Sequence, residues 1–439
     1  MVSNLFTFLR NKGFTWSLAL CILTLPFQLK ILAFETEWGK GFTNPYTSIY
    51  FSLFDCALLL SAFFFLIYER KKAAASASSP LLLLFAVLAI FSFFFTPYDD
   101  SLFHLLLVVK LLELILFYHL LTKVQDKEFL SRIFIYIVSV EGIWAFLQVL
   151  FQRDFGLQIL GEPNLAAAAP NLARFTWGSW EFIRGYGTFP HPNILGGFLA
   201  LGILLTFLNK NISGRQKIVL LILQFLGLLS SFSRSALLAL LLVILVTGFE
   251  KKFFQKQKTL ILFGLGAGLL LTLFFVMRGS TLLEDPAFLE RLNGYSYAWS
   301  LIQAHPWGVG FSHFTLFLDS VSSLPLMPWE YQPVHNVFLL LLSELGWLSF
   351  ALLLGAALAQ LYQKIKTRTL LWGAALLLLI IGFFDHYLLT LDQGRFLAIF
   401  VLAILSFKRE GNSDKNPADP QGKPRDATRF FLPTGGVLP

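Results

Sequence analysis

Charged side chains are scarce in this sequence of 439 residues, where Asp, Glu, Lys and Arg together make up only 14%. Soluble globular chains carry roughly 25% charged and 45–50% apolar residues, whereas 56% of the side chains here are apolar and the mean hydropathy is +0.68. One water-soluble core cannot bury that much hydrocarbon. A soluble, disordered or nucleic-acid-binding protein is therefore excluded as a description of the whole chain, despite its formal net charge of +8. The composition predicts a polytopic membrane protein.

Cysteine and the common catalytic motifs are also missing or rare. Cys21 and Cys56 both lie in apolar runs, which excludes a disulfide framework and a cysteine metal site. The sequence has no HExxH, Walker, GxSxG, Rossmann or DxD-like metal motif, and no internal repeat of the kind that marks many transporters. We therefore predict that the protein uses no metal and no other cofactor.

Apolar runs bounded by charged or turn-rich stretches predict about 12 transmembrane helices. They are residues 14–34, 47–68, 80–95, 102–121, 130–151, 194–208, 218–229, 235–248, 259–277, 335–361, 370–388 and 396–408. The predicted fold class is an all-α, polytopic integral membrane helical bundle over residues 1–408, with a helical external loop, 278–334, between spans 9 and 10. The Pro-, Gly- and charge-rich residues 409–439 are predicted to be a disordered cytoplasmic tail.

Lysine and arginine concentrate in alternate loops, beginning with the N-terminal segment. The positive-inside rule assigns these loops to the cytoplasm, so both termini are predicted to be cytoplasmic and the long loops 152–193 and 278–334 external. The basic stretches 209–217 and 249–258 both belong to the cytoplasmic set. The chain between them must therefore cross twice, and 216–248 is predicted to be a short helical hairpin.

The external segment from Arg184 to Asn193 leads into the sixth span. An arginine beside a helix N-terminus favours an anion, because guanidinium groups and unbonded backbone N–H groups both bind phosphate oxygens. We expect Arg184 to bind an anion, His191 to lie in the same rigid loop and Asn193 to cap the following helix. The alternative is a helix-entry loop with a snorkelling arginine.

Two further arginines lie at predicted external positions, against the positive-inside trend. Arg234 follows serines in the turn of the short hairpin, which suits either an anion site or interfacial snorkelling. Arg291 shares a helical face with Tyr295 and Trp299 at spacings of four residues. We expect that helix to lie over the outer membrane surface and Arg291 to face an anionic ligand.

A histidine opens the tenth span, in the segment Pro333-Val-His335-Asn336. Imidazole titrates near ~6.5, so His335 at a membrane–water boundary can act as a base. Glu344 lies on the opposite side of the same helix, and we expect it to neutralise a basic partner within the bundle.

Two charged pairs accompany these segments. Lys110 and Glu113 are three residues apart in the fourth span, a spacing that predicts a structural ion pair. Asp385 and His386 lie at the outer end of the eleventh span and could face the same chamber as His335. Their position alone carries that expectation.

Taken in order, these segments resemble the bacterial O-antigen ligase and polymerase superfamily of polytopic glycosyltransferases. The resemblance covers residues 180–350. It lies in Arg184-Gly-Tyr-Gly-Thr-Phe-Pro-His191-Pro-Asn193-Ile-Leu-Gly-Gly, in Ser231-Phe-Ser-Arg234-Ser, in Arg291 with Trp299 and Pro306-Trp-Gly-Val-Gly310, and in His335-Asn336 with Glu344-Leu-Gly346.

The resemblance implies an enzyme that takes a glycan from an undecaprenyl-pyrophosphate carrier at the outer face of the bacterial cytoplasmic (inner) membrane, without a metal. The glycan passes to a hydroxyl of an acceptor lipid such as lipopolysaccharide core, of another glycan or of a protein. The implied site consists of Arg184, Arg234 and Arg291 on the pyrophosphate, His335 as the base, and His191, Asn193, Asn336 and Glu344 in support.

Several other functions remain open on the residues alone. A polysaccharide polymerase of the same superfamily differs from a ligase only in its acceptor. A transporter or flippase suits twelve spans, although repeat symmetry is missing and ionisable groups at mid-membrane are scarce. A cell-wall glycan polymerase would rely on an external carboxylate clustered with the arginines, and a structural scaffold gives no reason for external arginines.

Overall fold

The computed structural model describes residues 2–36, 43–69, 79–98, 100–166, 172–177, 180–248, 266, 286–366 and 372–406. The predicted ninth span lies outside these residues except at position 266, as does the predicted tail, 409–439.

Helices dominate the described chain. They are α1 (Val2–Thr24), α2 (Leu53–Phe64), α3 (Pro80–Ser92), α4 (Ser101–Lys123), α5 (Lys127–Phe151), α6 (Pro192–Leu208), α7 (Gly214–Ser230), α8 (Arg234–Gly248), α9 (Pro286–Ala304), α10 (Leu318–Val321), α11 (Val337–Lys366), α12 (Trp372–Phe384), α13 (Tyr387–Thr390) and α14 (Asp392–Ser406). The strands are β1 (Lys30–Glu35), β2 (Ser48–Ser52), β3 (Arg174–Trp177) and β4 (Trp180–Ile183).

Three of the described helices are long and apolar enough to cross a membrane, namely α4, α5 and the Val337–Tyr362 part of α11. Shorter apolar helices are Lys12–Thr24, Leu53–Ile67, Pro80–Ser92, Pro192–Leu208, Arg234–Val246 and Trp372–Phe384. The predicted class of a helical membrane protein is therefore confirmed. The number of spans, 12, stays a prediction.

Two small antiparallel hairpins depart from the predicted all-α class. Strand β1 pairs with β2, and β3 pairs with β4. The prediction that residues 30–34 end the first span was wrong, because α1 ends at Thr24, just before Pro26, and the chain then turns into β1. The second helix begins later than predicted, after Ser52, whose backbone N–H donates to Asp55 Oδ2 at 2.6 Å.

The short hairpin predicted for 216–248 is present as helices α7 and α8. Phe232 in the connecting turn has a left-handed backbone, with φ at 47°. Helix α7 packs so closely against α5 that a Cβ at Gly227 would collide with the backbone of Gly142. Small residues allow such close approach between membrane helices.

Helix α6 lies at the centre of the main core cluster. Every residue from Pro192 to Phe207 is buried, so this helix has no polar or lipid-facing side over that length. Side chains of α1, α2, α5, α7, α8, α12 and α14 contribute to the same cluster. The N-terminus of α6 is therefore held at a fixed place in the bundle.

Candidate functional site

Helix α6 is capped at its N-terminus by His191, not by Asn193. The Nδ1 atom of His191 accepts the backbone N–H of Asn193 at 3.1 Å, which makes His191 the cap of the helix. The prediction that Asn193 is the cap was wrong. Pro192 has no N–H and occupies the first helical position, so the first available donor is that of Asn193. The Asn193 side chain is left to bond elsewhere.

His191 itself is poorly suited to be a base. Burial lowers the pKa of His191 to about 3, and the positive charge of Arg184 adds to the lowering. The imidazole is therefore neutral at physiological pH. Its capping bond uses the acceptor nitrogen that a base would need.

Arg184 is fixed by two hydrogen bonds. Its Nε donates to the carbonyl oxygen of Ser231 at 2.8 Å, and its Nη2 donates to Asn193 Oδ1 at 2.7 Å. Burial lowers the pKa of Arg184, the charges of Arg234 and Arg291 add to the lowering, and the resulting value of about 10 leaves the group protonated at neutral pH. The three predicted arginines therefore act on one another electrostatically.

The loop that carries Arg184 is held against α5 by buried polar side chains. The Oε1 atom of Gln148 accepts the N–H groups of Tyr186 and Gly187 at 2.9 and 2.8 Å. Glu141 accepts the backbone N–H and the hydroxyl of Thr188, both at 2.9 Å. These bonds fix the backbone between Arg184 and the start of α6.

Asp385 connects this segment with His335. Its Oδ2 accepts from Asn193 Nδ2 at 2.8 Å, its Oδ1 accepts the backbone N–H of His386 at 2.8 Å, and the same Oδ1 lies 3.6 Å from His335 Nδ1. A path of polar contacts therefore runs from Arg184 through Asn193 and Asp385 to His335. Sequence reasoning placed Asp385 beside the chamber of His335 on position alone and gave it no chemical role, and the structure brings the two side chains together.

Arg234 and Arg291 approach the same region from separate elements. Arg234 begins α8, directly after the turn whose Ser231 carbonyl binds Arg184. Arg291 is half-buried on α9, and its charge lowers the pKa of both Arg184 and His191. Tyr295, one turn further along α9, packs against a small apolar cluster, whereas Trp299 is half exposed. The roles of these arginines stay predictions.

Asn336 and Glu344 hold α11 in place. Asn336 Oδ1 accepts the N–H groups of Phe338 and Leu339 at 2.9 and 3.0 Å, so this residue caps the helix. Glu344 was expected to neutralise a basic partner, but its Oε1 instead accepts the backbone N–H of Phe314 at 3.3 Å. The buried carboxylate thereby fixes the loop between α9 and α11.

The predicted pair between Lys110 and Glu113 is confirmed, with Lys110 Nζ 2.9 Å from Glu113 Oε2. Lys110 also lies 3.2 Å from Asp55 Oδ2 of α2, so one buried ammonium has two carboxylate neighbours. The contact between Lys110 and Asp55 therefore joins α4 to α2.

His335, Asp385 and His386 offer ligand atoms that all lie within 4.8 Å of one another. Imidazole nitrogens and a carboxylate are a donor set that divalent transition metals accept. Both oxygens of Asp385 already accept hydrogen bonds, and His386 Nδ1 lies 2.8 Å from Thr390 Oγ1. A metal would have to displace these partners, and metal-free chemistry stays our prediction.

A cavity of about 310 Å³ adjoins this cluster. Besides His191, His335, Asp385 and His386, its lining includes residues that sequence reasoning did not connect with the site. The polar ones among them are Thr24, Gln28, Lys30, Tyr46, Ser48, Tyr50, Ser52, Lys110, Ser312, Gln332, Thr390, Asp392, Gln393 and Arg395. Hairpin β1–β2 and helix α14 thus form walls beside His335.

Comparison with known families adds one match. Residues 219–354 match the family model described as O-antigen ligase. The resemblance to the O-antigen ligase superfamily is confirmed. The segment matching the O-antigen ligase model includes Arg234, Arg291 and His335, while Arg184 and Asp385 lie outside it. No curated protein matches the chain.

Proposed function

We propose that this protein is an O-antigen ligase-like glycosyltransferase. It moves a glycan from an undecaprenyl-pyrophosphate carrier to an acceptor hydroxyl at the outer face of the bacterial cytoplasmic membrane. The family match and the apolar helices support this reading. The observation that carries it is the path of contacts from Arg184 to His335, because it links an anion-binding group to a base.

The arginines act on the leaving group. As the bond between the anomeric carbon and the pyrophosphate breaks, its electron pair moves to the phosphate oxygen and negative charge grows there. Guanidinium donors that are already fixed stabilise this charge without reorganising. Arg184 meets that condition, since Ser231 and Asn193 hold its Nε and Nη2. Arg234 and Arg291, whose charges reach Arg184, supply further positive charge to the same region.

His335 acts on the acceptor. The acceptor oxygen bonds to the anomeric carbon, and its proton passes to Nε2, the ring nitrogen of His335 that is not beside Asp385. Asp385 lies beside the other ring nitrogen, where it can orient the ring and stabilise the imidazolium that forms. One displacement of this kind inverts the configuration at the anomeric carbon.

Incubation of the purified protein with an undecaprenyl-pyrophosphate-linked oligosaccharide tests the proposal. The acceptors are a membrane glycolipid extract and 4-nitrophenyl β-hexosides, and the product is identified by mass. The His335→Ala variant should lose transfer by about 10²–10⁴-fold but still bind the carrier. The matched control is His305→Ala, which removes an imidazole from the loop after α9 that contacts Phe317. Wild-type transfer by His335→Ala would remove His335 as the base.

The polymerase alternative shares every step above and differs only in the acceptor, so the same mass measurement separates it from a ligase. A transporter would return the carrier-linked glycan chemically unchanged. The family match does not favour that reading.

A further inference from the structure

The cavity beside His335 does not include the predicted pyrophosphate arginines. Arg184, Arg234 and Arg291 are all described by the structure, and none of them is among its lining residues. His335, Asp385 and His386 do line it, together with His191 from the end of the Arg184 loop. In a single displacement, the acceptor and the leaving group lie on opposite sides of the anomeric carbon. The cavity is lined by the base, His335, but not by the arginines. It therefore lies on the acceptor side of the anomeric carbon.

The far wall of the cavity contains charges that are paired with one another. Arg395 Nη2 lies 2.7 Å from Asp392 Oδ1, and Lys110 pairs with carboxylates of α2 and α4. Lys30, Lys110 and Arg395 line the cavity together with Asp385 and Asp392, and the carboxylates of Asp55 and Glu113, which pair with Lys110, are outside the lining. Because positive and negative groups are interspersed, this wall favours neither a polyanion nor a polycation, and it offers donors and acceptors side by side.

An aromatic ring completes this wall. The Lys30 ammonium lies 4.0 Å from the centre of the Tyr50 ring, and both residues line the cavity. Tyr46 lines the end nearer His335, with its ring 5.4 Å from that of His386. Sugar rings present C–H groups on one face and hydroxyls around the edge, so they suit a pocket that combines aromatic rings with paired polar groups.

We propose that this cavity is the acceptor-sugar subsite and that it takes an uncharged sugar. The volume of about 310 Å³ is at the small end of the ~300–1,000 Å³ range of ligand pockets, which suits a terminal sugar rather than a long glycan. Asp392 and Arg395 bind its hydroxyls, Tyr50 packs on its apolar face, and the attacking hydroxyl meets His335. The inference rests on the proposed transfer reaction and adds the class of its acceptor.

The test uses full-length protein in detergent, with the carrier-linked oligosaccharide as donor and 4-nitrophenyl β-hexosides as acceptors. Tyr50→Ala and Asp392→Asn should each raise the acceptor KM about tenfold or more and leave the donor KM within about twofold. Arg174→Ala is the matched control, because it breaks an ion pair with Glu181 on hairpin β3–β4, outside the cavity. The acceptor KM of this control should equal that of the wild type.

A second comparison tests the charge of the sugar. The 4-nitrophenyl β-glucoside should be a better acceptor than the corresponding β-glucuronide, which differs by a carboxylate at C6. A preference for the glucuronide would overturn the uncharged acceptor. Should Asp392→Asn fail to fold, Lys30→Ala, at an exposed position, replaces it.

The two levels of the proposal fail differently. Absence of wild-type transfer to every acceptor counts against the glycosyltransferase function itself. A second outcome is that the wild type transfers the glycan while Tyr50→Ala and the Asp392 or Lys30 variant keep the wild-type acceptor KM. That outcome supports the glycosyltransferase function and overturns the acceptor subsite.

Discussion

The two sides of His335 differ in how their charges are arranged. On one side, Arg184 bonds to a carbonyl and an amide oxygen, and the charges of Arg234 and Arg291 reach it, so three positive groups act in one region. On the other, each arginine or buried lysine of the cavity wall lies beside a carboxylate. The first arrangement suits a polyanion and the second an uncharged polar molecule. This contrast is the physical basis for separating a leaving-group side from an acceptor side.

The largest effect expected on the arginine side is that of Arg184→Lys. A lysine lacks the planar fork that aims two separate nitrogens at Ser231 and Asn193, so transfer should fall by about 10²–10³-fold in kcat/KM for the donor. Steady-state kinetics with the carrier-linked donor measure this loss. Arg153→Lys, at an exposed position near Phe155, is the control and should keep wild-type kinetics. Full activity in Arg184→Lys would show that the leaving-group side does not depend on the guanidinium of Arg184.

A smaller loss is expected for Asp385→Asn, which lies between the two sides. The amide keeps the shape of the side chain but no longer balances the imidazolium, so kcat should fall by about 10–100-fold. Steady-state kinetics with the carrier-linked donor measure this loss. A wild-type kcat in Asp385→Asn would mean that Asp385 serves packing alone.

Weaker still is the effect expected for His191→Asn. Asparagine is a good helix cap, so transfer near neutral pH should stay within about threefold of wild type. The folded-state pKa of His191, about 3, lies below its ordinary value of 6.5. Wild-type stability should therefore fall as the pH decreases from 6.5 toward 3, where only the unfolded chain binds the proton. Melting curves should show a smaller loss of stability at acid pH in His191→Asn than in the wild type. An identical loss would contradict the assignment of His191 as a buried, neutral helix cap.

The last prediction concerns sidedness and should leave activity unchanged. Cysteines at Trp180 and Leu324, which are 70% and 74% exposed, should both react with a membrane-impermeant thiol reagent from outside the cell. The background is Cys56→Ser, since Cys56 is the exposed native thiol and Cys21 is buried. A cysteine at Asn211 should react only after permeabilisation. Reaction of the first two from opposite faces would separate the loops that form the two sides of His335.

The sequence was most informative where the signal is local or chemical. Apolar runs predicted the helices, and the basic stretches on either side of 216–248 predicted the hairpin that is observed. Arginine at external positions pointed to Arg184, whose neighbours in the structure include the other two arginines. These features depend on composition and short spacings, which a single chain displays directly.

Contacts between distant segments could not be predicted in this way. Asp385 meets Asn193 across 192 positions of the chain, and nothing in either segment names the other. Hairpin β1–β2 was taken for helix because its apolar residues extend the hydropathy of the flanking spans. His191 rather than Asn193 caps α6 because Pro192 has no N–H and the first free donor is that of Asn193. Hydropathy does not report on individual backbone donors.

The enclosure of α6 restricts how this protein can be altered. A Cβ at Gly197 would collide with the Tyr387 hydroxyl, and one at Gly196 would collide with Ser233, so that helix tolerates little change. Hairpin β1–β2, by contrast, has outward-facing positions such as Ile31, which is 76% exposed. Re-engineering of substrate choice should therefore begin at the hairpin and leave the central helix untouched.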